Sequence, residues 1–183
     1  AAIIGLSEEK LKECLVEARK YGVVEISNYN TPKQLVIGGE AKAVEVAIEL
    51  CKEAGARRTV PLKVSGPFHT PLLEEASVNL AKELNNIEFQ DMKIPVLTNV
   101  TAEVIADSSQ IKDLLIKQVK SSVKWTETIR NMIDMGIDTF IEIGPSRTLS
   151  GFLRDIDRSV TTFNVEDMKS LNKTLEGILI KNA

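Results

Sequence analysis

Aromatic residues make up only 4% of this 183-residue chain, and histidine occurs once, at His69. Any imidazole chemistry therefore runs through a single ring. Cysteine is nearly as scarce. Cys14 and Cys51 fall in helical-looking stretches without metal-ligand spacing, and one histidine cannot complete a ligand set. No metal, cofactor or disulfide is expected, and two free thiols in a core fit a cytoplasmic protein. No apolar run approaches the roughly 18 residues needed to cross a bilayer, and the first residues lack the basic stretch of a signal peptide. A membrane partner is not expected. Nor is nucleic acid: a formal charge of −3 leaves no concentrated basic face to neutralise phosphates. Also missing is Gly-x-Ser-x-Gly, the turn that exposes a serine nucleophile at the end of a strand. The nearest approach, Gly5-Leu6-Ser7-Glu8-Glu9, ends on glutamate, and Ser7 suits a helix cap better, so no serine is assigned.

What is present suits a globular protein. Hydrophobic residues at 43% and charged ones at 27% are ordinary for a soluble domain, and the length allows one ordinary core or two small ones. The run Ala2–Leu6 is strand-like, as in a chain that begins inside a larger fold. Ser7 then precedes Glu8 and Glu9, a helix start, and Leu11, Leu15 and Ala18 recur at helical spacing up to about Lys20, with Gly22 as the stop. Two β-like runs, Val23–Tyr29 and Gln34–Gly38, flank the turn formers Asn30-Thr31-Pro32-Lys33. A second helix is predicted over Ala41–Ala54 through Val44, Ala47, Ile48 and Cys51, followed by a strand over Arg58–Val64. The order β-α-β-β-α-β is that of a ferredoxin-like unit over residues 1–64.

Residues 65–183 read differently. After the segment Ser65-Gly66-Pro67-Phe68-His69-Thr70-Pro71 comes a helix with Leu73, Ala76, Leu80 and Leu84 on one side. Strands at Ile94–Val100, Thr139–Ile143 and Thr161–Val165 then alternate with helices near Ile111–Lys120, Trp125–Met135 and Leu149–Asp155, and a last helix carries Leu171, Leu175, Ile178 and Leu179. This is part of an α/β layer. With so few strands, the rest of its sheet is expected upstream.

His69 is either an idle side chain or a positioned acid/base. Pro67 and Pro71 stiffen both flanks and bias Gly66 and Thr70 toward extended geometry, which mounts the ring on a fixed turn before a helix. A base that must hold a hydrogen bond to a nucleophile benefits from such a mount. A thiol partner from Cys14 or Cys51 is disfavoured, since each lies on the apolar side of its helix.

Gly66-Pro67-Phe68-His69-Thr70-Pro71-Leu72-Leu73 resembles the histidine segment of the malonyl-CoA:acyl carrier protein transacylases and the related acyltransferase domains of polyketide synthases. Three more segments are similar in the same order. They are the hairpin Asn28-Tyr29-Asn30-Thr31-Pro32-Lys33-Gln34, the stretch Pro95-Val96-Leu97-Thr98-Asn99-Val100, and Glu142-Ile143-Gly144-Pro145 followed by Leu149, Gly151 and Leu153. The resemblance covers essentially the whole chain. It implies a ferredoxin-like subdomain inserted into a larger α/β-hydrolase-like one, of which residues 65–183 are the C-terminal part, with the active site in the cleft between them.

The implied activity is a Ser-His ping-pong transfer of malonyl from coenzyme A to the phosphopantetheine thiol of acyl carrier protein in fatty-acid biosynthesis. The implied enzyme is cytoplasmic and monomeric. His69 matches the general base, and the main-chain carbonyl of Gln118 matches the group that orients it. Phe68 goes with malonyl rather than methylmalonyl selection. Arg57 and Arg58 stand near the cleft mouth, where they meet coenzyme A or phosphopantetheine phosphates or remain a solvated pair. Asn30 and Gln34 either line the cleft or serve only as turn and strand residues. Ser122 stands where the family usually has proline, which puts the tension of the Gln118 loop in question. The family's serine and its malonyl-binding arginine have no counterpart among these residues, so the chain alone is expected to be inactive. A catalytically silent module that binds acyl carrier protein or coenzyme A is the competing reading.

Overall fold

The computed structural model describes residues 1–181 and divides the chain into two compact units, 1–128 and 129–183, with the boundary inside one helix. The first unit opens with β1 (Ala2–Ile4), α1 (Glu8–Ala18), β2 (Val24–Thr31), β3 (Gln34–Gly39), α2 (Ala41–Glu53) and β4 (Arg58–Val60). This is the β-α-β-β-α-β order read from the sequence. The four strands form one antiparallel sheet in the order β2-β3-β1-β4. Ser7 caps α1 by accepting from the Lys10 amide, and Gly22, at φ 136, follows the short 3-10 turn Arg19–Tyr21 that ends it. Thr31 pairs with Gln34, so the hairpin turn is only Pro32-Lys33 and the strands run to its very edge.

Both helices bury narrow stripes against the sheet. Leu11, Cys14, Leu15 and Ala18 come from α1, and Ala43, Ala47 and Cys51 from α2, packed with Ile3, Val24, Leu35 and Ile37. The α2 stripe is set one residue round from the one predicted: Ala43 is buried, while Val44 and Ile48 are half-buried. Small residues at i, i+4 and i+8 let the helix backbone approach closely. β4 is shorter than the predicted Arg58–Val64. β1 has three residues to pair with, and Pro61 brings no amide to continue the ladder.

After the His69 segment, a 3-10 turn Pro71–Leu73 leads into α3 (Glu74–Leu84), and a second such turn, Ser108–Gln110, leads into α4 (Ile111–Lys120). The inner face of α3 is Leu73, Ser77, Leu80 and Leu84; Ala76 is exposed, not inward as predicted. The predicted strand Ile94–Val100 is not formed. Its only ladder is a bridge between Leu97 and Val104, and the segment turns back on itself through Ala102 N–H to Thr98 O and Ile105 N–H to Val96 O. Beyond that return, its Asn99 carbonyl accepts from Lys124 N–H at 2.9 Å.

α5 (Trp125–Asp134) spans the unit boundary. The second unit then holds β5 (Thr139–Ile143), α6 (Thr148–Ile156), β6 (Thr161–Val165) and α7 (Met168–Lys181). β5 and β6 are parallel and in register from Thr139↔Thr161 to Ile143↔Val165. The α/β layer predicted for this part of the chain is thus one β-α-β crossover. On β5, Ile141 and Ile143 are exposed. No helix among the described residues is long and apolar enough to cross a membrane.

Candidate active site

His69 sits in the first unit at φ 61, a left-handed conformation rare for a residue with a side chain. Such strain persists only where neighbours over-determine it. Pro67 and Pro71 bracket it. Thr70, fully buried, donates its hydroxyl to the Pro67 carbonyl at 2.6 Å, across the bend that carries the histidine. On β3, Gly38 leaves the room: a Cβ there would stand 3.2 Å from the Thr70 methyl and 3.5 Å from the Phe68 carbonyl.

The ring is half-buried, and its Nδ1 lies 3.0 Å from the Gln118 carbonyl. Gln118 is in the last turn of α4, where carbonyls have no helical partner because Ser121 leaves in extended geometry. A carbonyl only accepts, so the bond requires the proton on Nδ1 and leaves the Nε2 lone pair free.

The acceptor is itself anchored on both sides. Upstream of Gln118, the buried Ser77 hydroxyl donates to the Ile116 carbonyl at 2.9 Å, and just past it Lys120 pairs with Glu74 at 2.6 Å. Downstream, residues 122–126 run beside β2. Val123 N–H donates to Ser27 O and Tyr29 N–H to Val123 O, each at 2.8 Å, and the Thr126 hydroxyl donates to Tyr29 O at 3.1 Å. Ser122 adds a hydroxyl bond to Ile26 O at 2.6 Å, one that the family's proline could not make. The Gln118 loop is therefore laced to the sheet.

His69 and Gln118 are the two expected site residues that the structure brings together. Phe68 adjoins them, 51% exposed. Asn30 and Gln34 are half-buried at the hairpin tip, at the other end of β3 from Gly38, about 13 Å along the strand. Arg57 and Arg58 are exposed at the start of β4, two strands across the sheet from β3, with neither guanidinium paired to a carboxylate among the described residues. Gly5, at φ 75, lets Arg57 pass; a Cβ there would come within 2.8 Å of the arginine's own.

Sequence reading left Thr70, Ser77 and Gly38 without roles. A hydroxyl residue between histidine and proline was the one signal available for Thr70. In the second unit, Glu142 of the Glu-x-Gly-Pro stretch accepts from Leu149 N–H at 3.0 Å, Ser150 N–H at 2.8 Å and the Ser150 hydroxyl at 2.6 Å. Burial pushes its carboxyl up, but those donors outweigh it and hold it below the usual carboxylate range. From β5, Glu142 thus accepts first-turn amides of α6, whose N-cap residue, Arg147, makes no side-chain capping bond. A cavity of about 620 Å³ in the same unit, between α6, β6 and α7, contains none of the expected site residues.

An α/β scaffold here holds the chain's one imidazole, tethered through Nδ1 to a main-chain carbonyl. The model of the acyl transferase domain matches residues 4–182. The malonyl CoA-acyl carrier protein transacylase of Bacillus subtilis is 40% identical over 183 residues, covering all of this chain and 58% of that protein. The crystal structure of the transacylase from Clostridium perfringens superposes with a TM-score of 0.95 at 42% identity, over 99% of this chain and 57% of that one. A malonyl-transacylase in complex with a type II polyketide synthase acyl-carrier protein gives 0.93 at 38% identity, over 96% of this chain and 57% of that one. The chain belongs to the acyl transferase domain family. It spans a little over half the length of the relatives it matches.

Proposed function

We propose that this chain supplies the histidine side of a malonyl transfer site, in an enzyme that moves malonyl from malonyl-CoA to the phosphopantetheine thiol of acyl carrier protein in fatty-acid biosynthesis. The observation that carries the reading is the bond between His69 Nδ1 and the Gln118 carbonyl. Nε2 of His69 takes the proton from a serine hydroxyl supplied outside these residues as that oxygen attacks the malonyl thioester carbonyl. The imidazolium then returns the proton to the departing coenzyme A sulfur, leaving a malonyl-serine ester. In the second half, Nε2 takes the proton of the pantetheine thiol as its sulfur attacks the ester, and gives it back to the serine oxygen. The Gln118 carbonyl keeps the ring in the required tautomer throughout, though it stabilises the imidazolium less than a carboxylate would.

In the same reading, Phe68 stands beside the malonyl group. Arg57 and Arg58 meet phosphates of coenzyme A or of the phosphopantetheine arm, and Asn30 and Gln34 line the cleft. Residues 1–64 form a ferredoxin-like small subdomain, and residues 65–183 form the C-terminal portion of an α/β-hydrolase-like large subdomain. The sheet order β2-β3-β1-β4 supports the first of these. The enzyme is cytoplasmic and monomeric and needs no cofactor or metal.

One observation favours a second reading for these 183 residues by themselves. They contain no Gly-x-Ser-x-Gly turn, as in a catalytically silent module that binds acyl carrier protein or coenzyme A. Radiolabelled malonyl-CoA separates the two. The chain alone should trap no malonyl ester, while the chain joined to a serine-bearing remainder should trap one per molecule. No ester in either would favour the silent module.

A further inference from the structure

We propose that Thr70 is a positioning residue whose side-chain hydroxyl holds His69 in the one backbone conformation that presents Nδ1 to the Gln118 carbonyl. The inference rests on the reading of His69 as the proton-transferring residue. Three observations converge on it. The histidine occupies φ 61, which a residue with a Cβ adopts only under constraint. The Thr70 hydroxyl bonds Pro67 O at 2.6 Å, linking the residue before Phe68-His69 to the residue after it and thereby closing the bend around the strained position. Thr70 is also fully buried, with its methyl against the Gly38 notch and its own carbonyl accepting from Leu73 N–H at 3.1 Å.

The residue is thus fixed to the sheet through its methyl and to the start of the α3 segment through its main-chain carbonyl. Its hydroxyl reaches back across the histidine to the Pro67 carbonyl. Without it, the Pro67 carbonyl loses a buried partner and the bend is free to relax toward negative φ. That movement would swing the ring away from a carbonyl that cannot follow, since Ser77 and residues 122–126 hold α4 and its exit.

His69 is the chain's one histidine, so its ring ¹⁵N signals identify themselves in the protein as it stands. A long-range ¹H–¹⁵N correlation at a pH where the ring is neutral reads the tautomer directly. Wild type is expected to show a protonated Nδ1 and a bare Nε2. Thr70→Val keeps the shape and removes the hydroxyl, and should shift the ring toward the Nε2–H form, whereas Thr70→Ser should keep the wild-type tautomer. Retention of Nδ1–H in Thr70→Val, or its loss in Thr70→Ser, would overturn the proposal. Should Thr70→Val lose its fold by circular dichroism, Thr70→Ala against Thr70→Ser makes the same comparison, and identical tautomers in that pair would overturn it equally. The readout needs no substrate, so a failure of positioning and a failure of the malonyl-transfer reading register separately.

Discussion

At the scale of single residues, the proposed chemistry divides between a group that moves a proton and groups that meet the substrate at a distance from it. Arg58 is exposed and, among the described residues, pairs with no carboxylate, which suits a phosphate contact held equally in ground and transition states. In the complete transferase, Arg58→Ala should therefore raise KM for malonyl-CoA and leave kcat nearly unchanged. A KM that does not move across low and moderate salt would return Arg57 and Arg58 to the role of a solvated pair. Phe68 is half-exposed beside His69, and in the proposed site its ring is the steric wall for the acyl chain. A methyl-sized difference in a pocket is worth about 1–3 kcal/mol, or roughly 10–200-fold. Phe68→Ser should raise the methylmalonyl-to-malonyl ratio of kcat/KM within that range; an unmoved ratio would mean that residues elsewhere set the selectivity. The contact between His69 and the Gln118 carbonyl was legible in the sequence only through the resemblance, which implied that partner for the lone histidine between two prolines. Thr70 and Ser77 were not. Their value lies in a backbone strain and a helix contact that no side-chain pattern records.

At the scale of elements, α6 depends on a residue outside itself. The Glu142 carboxylate receives the second and third amides of the helix, which would otherwise lack partners. Its folded pKa is below its unfolded one, so the stabilisation is present above the usual carboxylate range and is lost as pH falls through the folded value. Glu142→Ala should cost about 0.5–2 kcal/mol near neutral pH. In thermal melts the gap from wild type should narrow as the solution is acidified, and a gap that stays constant into acid would show that the charge is not what caps the helix. Helical periodicity located α1, α4 and α6 to within a residue or two, and short β-like runs located β5 and β6. The sequence misled at Arg58–Val64 and Ile94–Val100, where apolar β-branched runs promise strands. Strand formation requires a neighbour to pair with, and periodicity within one segment carries no information about that neighbour.

At the scale of the whole molecule, the first unit is held by two helices on one antiparallel sheet, with Cys14 and Cys51 inside the packing. Burial, and then the neighbouring Cys14 thiol, push the Cys51 thiol up to about 12. Both thiols should resist an aromatic disulfide reagent in the native protein and react only as it unfolds; rapid native-state reaction would contradict that packing. The order of elements in this unit was readable because each strand and helix is bounded by its own turn residues. In the second unit both strands were read at their observed bounds, Thr139–Ile143 and Thr161–Val165, while their parallel register came from the structure. The account as a whole rests on one proton carrier, and turnover tests it most directly. In the transferase that joins these residues to a serine-bearing segment, kcat for malonyl transfer to acyl carrier protein would be compared between wild type and His69→Ala. A positioned general base is worth about 10²–10⁴-fold, so the substitution should lower kcat by that factor in a correctly folded enzyme; turnover equal to wild type would contradict the account.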